Sequence, residues 1–172
     1  LTLGVGKLSG GGGNTVYVVC YIDWLLTTPI NVLYLGLLAH ATRGDIGKLV
    51  GLQALTIIFG LAGALASGLL GYALFAFGSV TFGGVVYLLY TDIADAAAAS
   101  LSDVENSLYR TLRNFVVVLW SVYPVVWLLG EAGIGLMDVE TASLVIVYLD
   151  VVTKVGFGVI ALNAWISMDV IT

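Results

Sequence analysis

Five long apolar stretches make up most of this 172-residue chain, and they limit what it can fold into. They cover approximately residues 16–39, 46–70, 72–90, 108–130 and 141–166. A helix of about 20 apolar residues crosses the hydrocarbon core of a bilayer, so each stretch is long enough to span a membrane. The sequence therefore predicts an all-α membrane protein, with residues 1–172 forming a single transmembrane domain.

The composition supports this class and argues against others. Only 10% of the residues are charged, whereas about a quarter are charged in a typical soluble domain. The 22 glycines suit closely packed membrane helices. An excess of 11 acidic over 6 basic residues argues against nucleic-acid binding, which needs a basic surface. Cys20 is the single cysteine of the sequence, so we expect neither an intrachain disulfide nor a cysteine metal cluster.

The distribution of basic residues predicts the orientation. Arg43 and Lys48 lie at the start of the second stretch, and Arg110 and Arg113 at the start of the fourth. Lys7 lies on the opposite side. The positive-inside rule then places the loops at 41–48 and 91–107 in the cytoplasm. We expect residues 91–107 to form a solvated, partly helical loop.

The start of the chain carries weaker signals. Residues 1–6 are similar to the tail of another helix, and the glycine-rich residues 9–14 predict a flexible loop. No pattern of a cleavable signal peptide is visible.

A lone lysine, Lys154, interrupts the last apolar stretch. A charge at the centre of a bilayer costs about 3 kcal/mol or more, so a residue of this kind indicates a functional site. Asp150 lies four residues earlier, close enough to pair on a helix, and Asp23 in the first stretch is positioned to meet the same site from a facing helix. A salt bridge that serves only structural specificity is one interpretation. The other is a Schiff base, because a desolvated lysine attacks carbonyls and the protonated product needs carboxylate counterions.

Two further patterns lie near these residues. Asp23, Thr27 and Tyr34 share one face of a helix, and this polar face should look into the protein. In the fourth stretch an aromatic stripe carries a proline, in the order Trp120, Tyr123, Pro124 and Trp127. Such stripes usually pack the core, but beside a buried amine this one also favours a flat apolar ligand.

Three blocks of the sequence resemble the microbial (type 1) rhodopsins: residues 21–29, 113–127 and 149–158. The resemblance implies a seven-helix protein of which five spans are present here, the first helix and most of the second being absent. It implies all-trans retinal bound covalently to Lys154 as a protonated Schiff base, with Asp23 as proton acceptor and counterion and Asp150 as second counterion. It also implies a retinal pocket made of Tyr21, Trp24, Thr27, Thr28, Asn31, Gly60, Phe82, Trp120, Tyr123, Pro124 and Trp127.

Three positions separate subclasses of that family. Proton-exporting pumps carry an acid where this chain has Tyr34, whereas Thr153 and Tyr148 look like the archaeal sensory rhodopsins of type II. In that subfamily the residue matching Thr153 bonds the one matching Tyr123 during signalling, and the residue matching Tyr148 touches the transducer. Residues 72–75 and 3–6 are also similar to type II members.

The resemblance therefore implies a light sensor, not an enzyme, in the plasma membrane of a haloarchaeon. Its implied partners are membrane lipid and a two-helix transducer, with a homo-oligomer left open. Two alternatives remain: a light-driven proton pump, and a non-photoactive opsin-related membrane partner protein. The second is kept open by Cys20, which replaces the arginine usual in the family. Asn31 is another departure, an amide where an aliphatic residue normally packs.

Overall fold

The computed structural model describes residues 6–169, without the side chains of residues 165 and 167–169. Apart from Gly6, the predicted helical tail at residues 1–6 lies outside the described part, as does most of the segment 3–6. The described chain is a short β-hairpin followed by helices, in the order β1 (Lys7–Ser9), β2 (Thr15–Tyr17), α1 (Val18–Leu38), α2 (Arg43–Leu65), α3 (Gly68–Tyr90), α4 (Asp92–Ser100), α5 (Asp103–Trp120), α6 (Val122–Leu129) and α7 (Val139–Asp169).

Five helical segments are long and apolar enough to cross a membrane, in agreement with the prediction: Val18–Leu38, Arg43–Leu65, Gly68–Ser100, Asp103–Leu129 and Val139–Ala164. The second span was predicted to reach residue 70 but ends at Leu65. Residues 66–67 form the turn, and Gly68 opens α3 with a positive φ of 58°, a conformation that glycine adopts without strain. Hydropathy alone could not locate this turn because the residues on both sides of it are apolar.

The glycine-rich segment before α1 is a hairpin turn rather than a free loop. Strands β1 and β2 pair antiparallel, with Lys7 opposite Tyr17. The turn is also tied to the end of α2, because Gly11 N donates to the carbonyl of Leu65 at 2.8 Å and Asn14 Nδ2 to that of Ala64 at 3.2 Å. The hairpin therefore covers the ends of α1 and α2.

The predicted loop at 91–107 is mostly helical. Its alanine run, a strong helix former, continues α3 as α4 and buries Ile93 and Ala97. Helix α5 then begins at Asp103 with a capping box in which Ser102 and Glu105 exchange hydrogen bonds. The segment is therefore more helical than predicted, while about half of its residues remain exposed, as expected for a solvated connection.

The two prolines have different effects. Pro124 has no N–H to offer the carbonyl of Trp120, and the helix is interrupted at Ser121, between α5 and α6. Helix α1 continues through Pro29. Because Pro29 has no N–H, the carbonyl of Leu25 loses its usual helical donor. The hydroxyls of Thr27 and Thr28 do not replace that donor, since they donate to the carbonyls of Asp23 and Trp24, each at 2.8 Å.

The hydrophobic core occupies the end of the bundle that is predicted to face the cytoplasm. It joins the end of α1, the start of α2, the end of α3 and the start of α5 through residues such as Leu35, Leu49, Leu89, Tyr109 and Leu112. Gly36 allows α1 and α2 to approach closely here, since a Cβ atom at this position would lie 2.8 Å from Cγ1 of Ile46. The tight packing leaves the opposite half of the bundle for a cavity.

Candidate functional site

Lys154 lies between two carboxylates that come from different helices. Its Nζ forms a close ion pair with Oδ2 of Asp23 on α1 and lies 3.7 Å from Oδ1 of Asp150 on α7. The contact with Asp23 depends on how α1 packs near α7. The contact with Asp150 follows from the spacing of four residues along α7. One cation therefore faces two anions, as the sequence predicted for a functional lysine.

Hydrogen bonds from two aromatic residues hold Asp150 in place. The indole Nε1 of Trp24 donates to Oδ1 at 2.9 Å and to Oδ2 at 3.1 Å, and the phenol of Tyr123 donates to Oδ1 at 2.7 Å. These donors offset the second negative charge of the site. They also fix Asp150 to α1 and α6, so that three helices meet at one carboxylate. Asp23, by contrast, has Lys154 as the one side-chain partner that we find for its carboxylate in residues 6–169.

A cavity of about 670 Å³ opens beside this group of charges. Its volume falls in the range of about 300–1,000 Å³ that is typical of ligand pockets. Every residue predicted for the retinal pocket lines it except Thr27, as do Asp150 and Lys154. Thr27 does not line the cavity, since its hydroxyl is turned back onto the carbonyl of Asp23, one helical turn earlier. Thr27 therefore acts on the site only through α1.

Aromatic rings form the cavity walls. The ring of Trp24 meets those of Tyr21 and Tyr123 edge-on, with centroids 4.9 and 5.2 Å away. On the opposite side Phe75 stacks on Trp127, with ring centroids 4.2 Å apart and planes 11° from parallel. Rings held in this way form rigid apolar surfaces, which suit a flat, elongated apolar ligand.

The three positions that separate subclasses in the resemblance, Thr153, Tyr148 and Tyr34, occupy three different environments. Thr153 is 3% exposed, lines the cavity and donates through its hydroxyl to the carbonyl of Asp150 at 3.2 Å. Tyr148 is 71% exposed on the outer face of α7. Tyr34 lies outside the cavity wall, with its ring edge-on to Phe157 at 5.6 Å. Thr153 therefore belongs to the site, whereas Tyr148 belongs to the outer surface of the bundle.

Cys20, where the resemblance implies an arginine, belongs to the cavity wall. It is half-buried and lines the cavity one helical turn before Trp24. Lys7 also lines the cavity, but its Nζ lies 5.0 Å above the ring of Tyr17. Position 20 therefore brings a neutral side chain to the cavity wall in place of the arginine that the resemblance implies.

Sequence reasoning missed several residues that line the cavity, notably Gln53, Phe75 and Ser79. A signal was available for Gln53, because an amide within an otherwise apolar span is unusual and should face the protein interior. Phe75 carried no such signal. An apolar residue on an apolar helix looks the same whether it faces lipid or a ligand.

A bundle of membrane-spanning helices around an internal cavity, with a lysine and two carboxylates at one side of it, defines the class: a helical membrane protein built to hold a ligand. The chain matches the family described as "Bacteriorhodopsin-like protein" over residues 1–168, and it belongs to this family. The resemblance drawn from the three sequence blocks is thus confirmed.

Two relatives and one solved structure illustrate the family membership. The chain is 68% identical to sensory rhodopsin-2 of Haloarcula vallismortis over 168 residues, which are 98% of this chain and 71% of the relative. It is 44% identical to sensory rhodopsin-2 of Natronomonas pharaonis over 164 residues, 95% of this chain and 68% of that relative. The crystal structure of cyanorhodopsin N2098R from Calothrix sp. NIES-2098 superposes with a TM-score of 0.90 at 33% identity, covering 94% of this chain and 70% of that one. The fold is that of the seven-helix microbial rhodopsins, of which the described residues contain five spans.

Membership of this family implies a retinal chromophore, and the residues of the site fit one. Retinal is an elongated apolar aldehyde, so it needs an apolar cavity with an amine within reach. The cavity has aromatic walls, and of the two lysines that line it, Lys154 is the one paired with carboxylates. It also contains a buried acceptor, Oε1 of Gln53, without a hydrogen bond to any group in the described residues.

Proposed function

We propose that this protein is a sensory photoreceptor that binds retinal through Lys154 and signals to a membrane transducer. The observation that carries the proposal is the ion-paired Lys154, set between Asp23 and Asp150 at an aromatic cavity. The identity of 68% with a protein named sensory rhodopsin-2 supports the sensory role. The protein is then a multi-pass receptor of the plasma membrane.

Lys154 provides the attachment point, because its Nζ faces the cavity. Bound retinal supplies the absorption of visible light and a light-driven change of shape. Asp23 and Asp150 together hold the positive charge at Nζ. We assign proton acceptance to Asp23, since its carboxylate directly contacts Nζ. We assign the role of second counterion to Asp150, whose carboxylate accepts hydrogen bonds from Trp24 and Tyr123.

The signal leaves the site through contacts between helices. Tyr123 on α6 and Thr153 on α7 both hydrogen-bond to Asp150, the first at its side chain and the second at its backbone carbonyl. A shift at this carboxylate changes how α6 lies against α7. The exposed Tyr148 on α7 then provides a contact for a partner, and a two-helix transducer is the partner we propose.

A light-driven proton pump is the second candidate, favoured by the direct contact of Asp23 with Nζ that proton export also needs. Tyr34 argues against it. A phenol packed against Phe157 is a poor source of the proton that must return to Nζ from the cytoplasmic side.

The test is the absorption spectrum of the full-length protein after addition of all-trans retinal. We expect a visible band in the unaltered protein that hydroxylamine bleaches under illumination, and no visible band in Lys154→Ala. Lys7→Ala is the matched control, because Lys7 also lines the cavity but forms no ion pair with Asp23 or Asp150. This variant should keep the visible band. A visible band that persists in Lys154→Ala contradicts the attachment site. Absence of the band in the unaltered protein supports the non-photoactive alternative.

A further inference from the structure

Gln53 presents a buried acceptor to the cavity that no described group satisfies. Its side chain is 2% exposed and lies on α2, across the cavity from Lys154 on α7. Its Nε2 donates to the hydroxyl of Thr28 at 2.9 Å, and that hydroxyl donates to the carbonyl of Trp24 at 2.8 Å. Its Oε1 has no hydrogen-bond partner in residues 6–169.

The hydrogen-bond pattern determines which way the amide points. A hydroxyl has one proton, and Thr28 gives its proton to the carbonyl of Trp24. With that proton engaged, Thr28 Oγ1 accepts from the NH₂ group of Gln53, and the amide oxygen is the free end. A flipped amide would place two acceptors against each other. Oε1 is thus an acceptor that needs a donor.

Other hydroxyls near the cavity do not supply this donor. Thr56, one turn beyond Gln53 on α2, donates to the carbonyl of Leu52 at 2.9 Å and lies 3.0 Å from the hydroxyl of Thr81. Ser79 on α3 donates to the carbonyl of Phe75 at 2.9 Å. Their protons are engaged within their own helices or between them. Nε1 of Trp127 is a buried donor in the same cavity wall, but it too has no partner among the described residues and is not bonded to Oε1. The donor for Oε1 is therefore sought inside the cavity.

We propose that Gln53 Oε1 is the acceptor of a polar subsite that takes an O–H group inside the cavity, supplied either by a bound water or by a hydroxyl on the ligand itself. A hydroxyl can both donate and accept, and Asn31, three residues after Thr28 on α1, brings a second amide to the same cavity. Burial makes an unsatisfied oxygen costly, which favours occupation of the subsite. The inference rests on the proposed function, because the ligand is then a retinoid that extends from Lys154 towards α2.

The test offers the full-length protein an equal mixture of all-trans retinal and 3-hydroxyretinal. Bound retinoids are released with hydroxylamine and quantified by chromatography. The infrared difference spectrum of the pigment is recorded in H₂¹⁶O and H₂¹⁸O. The variant is Gln53→Met, which keeps the length of the side chain and removes the acceptor. The matched control is Thr111→Ala, which removes a hydroxyl outside the cavity wall whose proton is likewise engaged by a helix carbonyl.

Two results support the subsite and distinguish its occupants. If the hydroxyl belongs to the ligand, the unaltered protein should bind 3-hydroxyretinal in preference to retinal by roughly threefold to tenfold, the effect of one hydrogen bond, and Gln53→Met should lose the preference. If water occupies the subsite, no preference is expected, but an O–H stretching band that shifts in H₂¹⁸O should be present and should disappear in Gln53→Met. Thr111→Ala should behave as the unaltered protein in both cases.

One overturning result can be read from the unaltered protein alone, so it does not depend on the variant folding. A pigment that shows neither a preference for 3-hydroxyretinal nor an ¹⁸O-sensitive band removes the inference and leaves the proposed function intact. A preference or band that is unchanged in Gln53→Met also removes it. No visible pigment with either retinoid contradicts the proposed function, and with it the inference.

Discussion

The phenol of Tyr123 donates a 2.7 Å hydrogen bond to Oδ1 of Asp150, and this single contact ties α6 to α7 beside the ion pair of Lys154. Trp24 approaches the same carboxylate from α1. Asp150 is therefore both part of the charge balance at Nζ and the point at which three helices meet. A change in charge or position at the lysine must be felt at the contact between α6 and α7.

Removing this hydrogen bond should lower the thermal stability of the pigment without preventing its formation. Tyr123→Phe keeps the ring against Trp24 but leaves Asp150 with one donor fewer, and a bond to a charged group contributes about 1.5–3 kcal/mol. We expect the pigment to form and to lose its colour at a lower temperature, as followed by its visible band during heating. Tyr72→Phe is the control, since that phenol bonds the neutral carbonyl of Gly133 and should matter less. Equal thermal stability of the two variants would contradict the role given to Tyr123.

Asp23→Asn should shift the visible absorption to longer wavelength. The negative charge closest to Nζ stabilises the positively charged ground state, and the amide removes that charge while keeping the size of the side chain. The measurement is the absorption maximum of the reconstituted full-length protein. Asp92→Asn, on α4 and outside the cavity wall, is the control and should leave the maximum unchanged. If the maximum of Asp23→Asn also stays in place, Asp150 is the effective counterion.

Thr153→Ala should leave pigment formation largely intact and abolish the light response of cells that carry the cognate transducer. Thr153 is buried, precedes Lys154 directly in the chain and donates its hydroxyl to the carbonyl of Asp150, so a shape change at the lysine should reach it early. Ser143→Ala, which changes another cavity-lining hydroxyl on α7, should retain the response. A normal response in Thr153→Ala would show that the signal leaves the site by another route.

Tyr34 should limit proton transport. We expect the full-length protein without a transducer to show little sustained light-driven export of protons. Tyr34→Asp should increase it, because a carboxylate can return a proton towards Nζ. Tyr34→Phe retains the ring against Phe157 and is the control, with transport as low as that of the unaltered protein. The measurement is the light-induced pH change outside cells or vesicles, and sustained export by the unaltered protein would favour the pump.

Much of the architecture could be predicted from the sequence because it depends on local periodicity. Runs of apolar residues as long as a bilayer is thick specify membrane helices, and all five were found close to their predicted positions. The spacing of four residues between Asp150 and Lys154 also specifies a contact, since the helix itself brings such residues together. Microbial rhodopsin membership was readable for the same reason, as its motifs are short and continuous.

Only the tertiary structure decided which carboxylate contacts the lysine directly. Asp23 lies 131 residues before Lys154, and its contact depends on how α1 and α7 pack rather than on any local pattern. The same holds for Gln53 and Phe75, whose places in the cavity wall follow from the packing of α2 and α3. In a membrane helix, apolar residues can face either lipid or the protein interior, so their positions in the sequence do not show which of the two they contact. The helix periodicity therefore determined which residues share a face, and the packing of the helices determined what each face meets.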